Sequence, residues 1–72
     1  MFYDYSKLKG RIIEKFGSQA RFAEAMELST TSLSLKMTGQ IPFKQTEIAR
    51  ACDLLGVEPT QIGVYFFALK VK

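Results

Sequence analysis

The spacing of apolar residues divides the chain into short helical segments. Tyr5, Leu8, Ile12, Ile13 and Phe16 recur on one face of a first helix, about Tyr5 to Phe16, opposite Lys7, Lys9, Arg11, Glu14 and Lys15. Asp4 is its expected N-cap and Gly17 its left-handed C-cap. A second helix runs from Gln19 to about Met26, capped by Ser18, with Phe22, Ala23 and Met26 inward. Glu27-Leu28-Ser29 make a tight connection to a third helix, about Thr30 to Met37, with Ser29 as N-cap and Gly39 past its end. Thr38 to Phe43 reads as a turn. A fourth helix, roughly Lys44 to Leu55, carries Ile48, Ala51, Cys52 and Leu55 on one stripe and stops at Gly56. Pro59 opens a short fifth helix, about Pro59 to Gly63, with Ile62 facing inward. Val64 to Val71 is aromatic and β-branched, which favours a short extended tail over residues 64–72 rather than a continuation of the fifth helix through Phe66.

This pattern predicts an all-α fold of five short helices plus an extended C-terminal tail, in a single domain spanning 1–72. A chain of this size buries only about 60% of its unfolded surface, so it needs efficient packing, a staple or a partner. Its single cysteine, Cys52, excludes an internal disulfide, and with no histidine there is no zinc site; Cys52 reads as a small buried hydrophobe. The net charge of +3 suits an anionic partner without selecting one. No apolar run approaches the roughly 20 residues of a membrane span, and no signal peptide opens the chain, so a cytoplasmic location is expected. The acidic residues Asp4, Glu14, Glu24, Glu27, Glu47, Asp53 and Glu58 show neither paired-carboxylate nor metal-ligand spacing. The expectation is therefore no enzyme, no cofactor and no metal.

The second and third helices, about 19–37, meet the requirements of a central helix-turn-helix. A small residue, Ala23, sits where the helices cross; Leu28 anchors the turn; Leu33 is buried five positions later; Gly39 lets the chain turn away. The stretch from Ser18-Gln19 through Phe22-Ala23, Met26-Glu27-Leu28-Ser29 and Leu33 to Gly39 resembles the Cro and cI repressor family of helix-turn-helix proteins. The likeness extends to Ile48-Ala49 and Leu54-Leu55-Gly56-Val57. Within the family, the Ser-Leu-Ser-Leu-Lys-Met-Thr-Gly run and the aromatic tail resemble small phage and prophage regulators of Gram-positive bacteria. Two positions depart from the pattern. Glu27 stands where the turn usually carries glycine in a left-handed conformation, which implies either a cost of about 1 kcal/mol or a slightly different turn. Lys36 stands where an apolar residue is usually buried, its stem covering the core while the ammonium reaches toward water or a phosphate.

The resemblance implies that the third helix enters the major groove of double-stranded operator DNA, with Thr30, Thr31, Ser32, Ser34 and Leu35 facing the bases. These are hydroxyls and a leucine, with no Arg or Asn to read guanine or adenine bidentately. Gln19 would bond a phosphate, and Arg21, Lys36, Thr38, Gln40 and Lys44 are further phosphate candidates. A single recognition helix reads too little DNA, so a homodimer on a pseudo-palindromic operator is expected. Ile62, Tyr65, Phe66, Phe67 and Leu69 are its candidate interface, with part of this tail, Phe66 in particular, also a candidate for the core. The implied function is a Cro-type transcriptional repressor. The alternative is an antirepressor or modulator that uses the same fold to grip a partner phage repressor.

Overall fold

In the computed structural model, which describes residues 3–69, the helices form where capping side chains and apolar stripes coincide. They are α1 (Ser6–Phe16), α2 (Gln19–Ala25), α3 (Thr30–Met37), α4 (Gln45–Leu55) and, after a 3-10 turn at Pro59–Gln61, α5 (Ile62–Phe66). The N-cap of α1 is Tyr5, which makes no side-chain cap bond, and not the expected Asp4. Asp4 lies one residue earlier, where its Oδ1 accepts the Ser6 N–H at 2.9 Å and also the Ser6 hydroxyl. Ser18 Oγ accepts the Arg21 N–H at 3.2 Å, and Ser29 Oγ accepts the Ser32 N–H at 3.0 Å. Each such cap stabilises its helix by about 1 kcal/mol. Gly17 ends α1 at φ 84°, a conformation that costs glycine nothing.

The core is a single cluster to which every helix contributes. Leu8 and Ile12 of α1, Phe22 and Ala23 of α2, Leu33 of α3, Ala51, Cys52 and Leu55 of α4 and Phe66 of α5 are buried together with Met26 and Val57. Helix α1 packs on α2, α4 and α5, while α2 packs on α3. Arg11 Nε donates to the Leu55 carbonyl at 3.0 Å, placing a cation at the C-terminus of α4 and tying it to α1. Ile13 was expected on the inner stripe but is 45% exposed. One residue beyond Ile12, it is rotated by 100° to the edge of that stripe.

The connection between α2 and α3 turns within four residues. The Leu28 N–H donates to the Ala23 carbonyl at 2.8 Å, and Glu27 lies at φ 61°, the left-handed conformation anticipated for a position usually held by glycine. Its carboxylate reaches Arg50 at 3.3 Å, but both side chains are at least half exposed, so the contact offsets little of the backbone cost. Glu27→Gly is therefore expected to raise stability by up to about 1 kcal/mol, read as a higher midpoint in thermal or urea unfolding.

The end of the chain departs from the extended tail expected over residues 64–72. The 3-10 turn runs directly into α5, which continues through Phe66. Ile62 and Phe66, four residues apart, share one face, and the gain from sealing Phe66 in the core outweighs the strand preference of this composition. Only beyond Phe67 does the chain extend: Leu69 forms an antiparallel bridge with Tyr3, and the Asp4 N–H donates to the Ala68 carbonyl at 2.6 Å. Residues 70–72 of the expected tail lie outside the described residues.

Candidate functional site

Two surfaces stand out, one on α3 and one where the chain ends meet. On α3, Thr30, Thr31 and Ser34 are exposed, as the predicted base-reading face requires, whereas Ser32 and Leu35 are half-buried. Ser32 is also committed to its helix cap, since the Ser29 hydroxyl donates to Ser32 Oγ at 3.0 Å. Gln19, Ser34 and Thr38 line one polar cleft of about 550 Å³ with Lys9 of α1. Lys9 was absent from the predicted footprint. It reaches the cleft only because α1 packs on α2, so no local sequence signal marks it. Thr38 and Gln40 close the end of α3: the Thr38 hydroxyl bonds the Ser34 carbonyl at 3.0 Å, and Gln40 Nε2 donates to Thr38 Oγ1 at 3.3 Å. Arg21 and Lys44 are exposed, with Arg21 beside Glu24 and Leu28 in a separate shallow groove.

Lys36 corrects the predicted phosphate set. It is 5% exposed, and its ammonium lies 3.0 Å from Glu47 Oε1 and 3.3 Å from the Pro42 carbonyl. The stem covers the core as expected, but the charge turns inward to a carboxylate instead of outward. Lys36 is the only charged residue in α3, so the exposed face of that helix carries hydroxyls and no cation.

Glu47 Oε1 also accepts the Lys44 N–H at 2.8 Å, at the start of α4. Burial alone would raise the Glu47 carboxyl, but the Lys44 amide and the Lys36 ammonium together hold it below the ordinary 4.5. A carboxylate held low in the fold contributes stability that is complete above its unfolded value and is lost as pH falls through the folded value. Unfolding midpoints are thus expected to fall on acidification below about pH 4.5, and Glu47→Gln should flatten that dependence.

The second surface is apolar. Tyr3, Tyr5, Gly39, Ile41, Pro42, Phe43, Ile48, Phe66 and Phe67 line a groove of about 240 Å³. Its rings form a continuous chain of contacts, three edge-on (Phe67 on Tyr3 at 5.7 Å, Tyr5 on Phe43 at 5.5 Å, Phe43 on Phe66 at 5.3 Å) and one tilted (Tyr3 on Tyr5 at 6.2 Å). Burial, with a smaller push from Tyr3, raises the Tyr5 phenol above 10.0, so it is neutral throughout the physiological range. Tyr3, Ile41 and Phe67 in the groove lining are 37–49% exposed, as is Leu69, which is bridged to Tyr3. Large apolar side chains gathered in this way mark interaction surfaces rather than ordinary protein exterior.

The predicted dimer residues divide between core and rim. Phe66 is 1% exposed, so it belongs to the core and is unavailable to an interface; Ile62 and Tyr65 are half-buried against the same cluster. Phe67 and Leu69 remain outward. Tyr3, Ile41 and Phe43 were missed because they come from the N-terminal segment and the turn. An Ile-Pro-Phe run in an otherwise polar turn was the available signal.

Among the described residues no group of His, Cys, Asp and Glu has the arrangement to hold a metal ion, and no helix is long and apolar enough to cross a membrane. The family described as Protein of unknown function (DUF739) matches residues 1–69. Among solved structures, the chain is similar to the solution structure of the modulator of repression (MOR) of the temperate bacteriophage TP901-1 from Lactococcus lactis. The two are 46% identical, with a TM-score of 0.83, over 100% of this chain and 97% of that one. Comparison with curated proteins gives no match.

Proposed function

This chain belongs to the DUF739 family, and from its likeness to a phage modulator of repression we propose that it too modulates repression, by binding a phage repressor protein in the host cytoplasm. The likeness over the full length of both chains carries the reading. The chemistry of the two surfaces supports it. A DNA-binding face draws a large share of its affinity from cations neutralising phosphates, and the exposed side of α3 has none. The groove, by contrast, offers aromatic anchors of the kind that dominate protein interfaces. In this reading the repressor inserts apolar side chains between the Tyr3-Phe67 edge and the Ile41-Pro42 wall, and no cofactor or catalytic step takes part.

A Cro-type repressor that reads operator DNA as a homodimer is the second reading. One observation favours it: Gln19, Ser34, Thr38 and Lys9 share a cleft beside the exposed α3 hydroxyls. Nuclear magnetic resonance titration of the labelled chain separates the two. With the TP901-1 repressor, amide shifts are expected at Tyr3, Ile41 and Phe67. Shifts confined to Thr30, Thr31 and Ser34, produced by operator duplex without the repressor, would transfer the function to DNA.

A further inference from the structure

We propose that the buried Lys36–Glu47 pair is a strut that shapes the aromatic groove, making both residues positioning residues for partner binding although neither lines it. The groove's outer wall is Gly39, Ile41, Pro42 and Phe43, the link between α3 and α4. Ile41 and Pro42 are exposed, and Phe43 is half-buried. The Gln40 and Ile41 amides bond back to the Leu35 carbonyl at 2.9 and 3.4 Å, which holds the start of the link to α3.

The end of the link is held by charge. Lys36 Nζ donates to the Pro42 carbonyl at 3.3 Å and to Glu47 Oε1 at 3.0 Å, and the same carboxylate oxygen accepts the Lys44 N–H at 2.8 Å. One ammonium and one carboxylate therefore connect α3, the wall and the first turn of α4. Their side chains are only 6% and 14% exposed, so the contacts are little weakened by water. No buried side-chain polar atom among the described residues lacks a partner.

An apolar pair in these positions would fill the same space without direction, since dispersion contacts fix neither a carbonyl nor an amide. Buried ion pairs are poor sources of stability compared with apolar replacements of similar size, and their best-attested use is to select one arrangement. Here the arrangement selected is that of Ile41-Pro42-Phe43 over Phe66 and Tyr5. A wall held in place before binding spares the partner the cost of ordering it.

The inference rests on the groove being the repressor-binding surface, and the test keeps the two separable. In the 72-residue chain, K36M/E47L replaces the pair with apolar side chains of similar length. Its unfolding midpoint is expected to match or exceed that of the parent, while amide hydrogen exchange at Ile41, Phe43 and Lys44 accelerates by about tenfold or more. Binding to the TP901-1 repressor should weaken by about tenfold, because the wall must be ordered on binding. Unchanged exchange in the link, in a folded variant, overturns the strut. If K36M/E47L does not fold, E47Q is read in its place: it keeps an oxygen for the Lys44 amide but removes the charge that holds Lys36, and the same acceleration is expected. Faster exchange with no repressor binding even by the parent chain upholds the strut and defeats the docking surface.

Discussion

Phe67→Ala is expected to weaken repressor binding by about 30-fold or more while leaving the fold intact. Phe67 is 49% exposed and meets the protein mainly through an edge contact with Tyr3. Truncation removes that contact, worth about 0.5–1.5 kcal/mol to the fold beyond the burial of half the ring, and leaves the sealed ring of Phe66 untouched. In a complex the same ring would be fully desolvated at the rim of an aromatic groove, where a truncated anchor typically costs about 2 kcal/mol or more. Thr31→Ala, on the outward face of α3, is the matched control and is expected to change repressor affinity by less than about threefold. Titration calorimetry with both variants reads the contrast. Loss of binding in Thr31→Ala with retention in Phe67→Ala would move the interface to α3.

Glu47→Ala is expected to have the largest effect on stability of any single change outside the apolar core. It leaves the Lys36 ammonium buried with only the Pro42 carbonyl for company and strips the Lys44 amide of its acceptor. Breaking a buried pair from one side costs about 3–5 kcal/mol. A chain of this length has a total stability of about 4–10 kcal/mol, so the variant should lose a large share of it and unfold at a much lower urea concentration. Urea denaturation followed by circular dichroism checks this. A loss below about 1 kcal/mol would mean that the pair behaves like an exposed one.

What the sequence disclosed follows from the range over which each feature is determined. Ser18, Ser29 and Gly17 cap the helices within a few residues of themselves, so α2 and α3 begin where the capping pattern puts them. At Glu27 the sequence left two outcomes open, a strained left-handed backbone or an altered turn, and the structure takes the first. The fate of Lys36 was not legible, because its partner lies on another helix, beyond a turn whose path sets the distance. The core place open to Phe66 was anticipated, but its helical conformation was not, because the composition there argues for a strand while the space it fills belongs to Leu8, Ile12 and Leu55 on other elements. The groove was hidden more deeply still. Tyr3, Ile41 and Phe67 come from the start, middle and end of the chain, and only the Tyr3–Leu69 bridge and the packing of α5 bring them together. Of the residues anticipated for an interface, Phe67 and Leu69 stay outward, and their apolarity alone had marked them.

Whether the partner is a repressor protein is read by a gel-mobility assay on labelled operator DNA carrying the TP901-1 repressor. Adding this chain is expected to displace the repressor or alter the mobility of its complex at near-stoichiometric concentrations. The chain alone should leave the same duplex unshifted. A chain that shifts the bare operator by itself, and leaves the repressor–operator complex unchanged, would contradict the account and return the protein to the DNA-binding repressors.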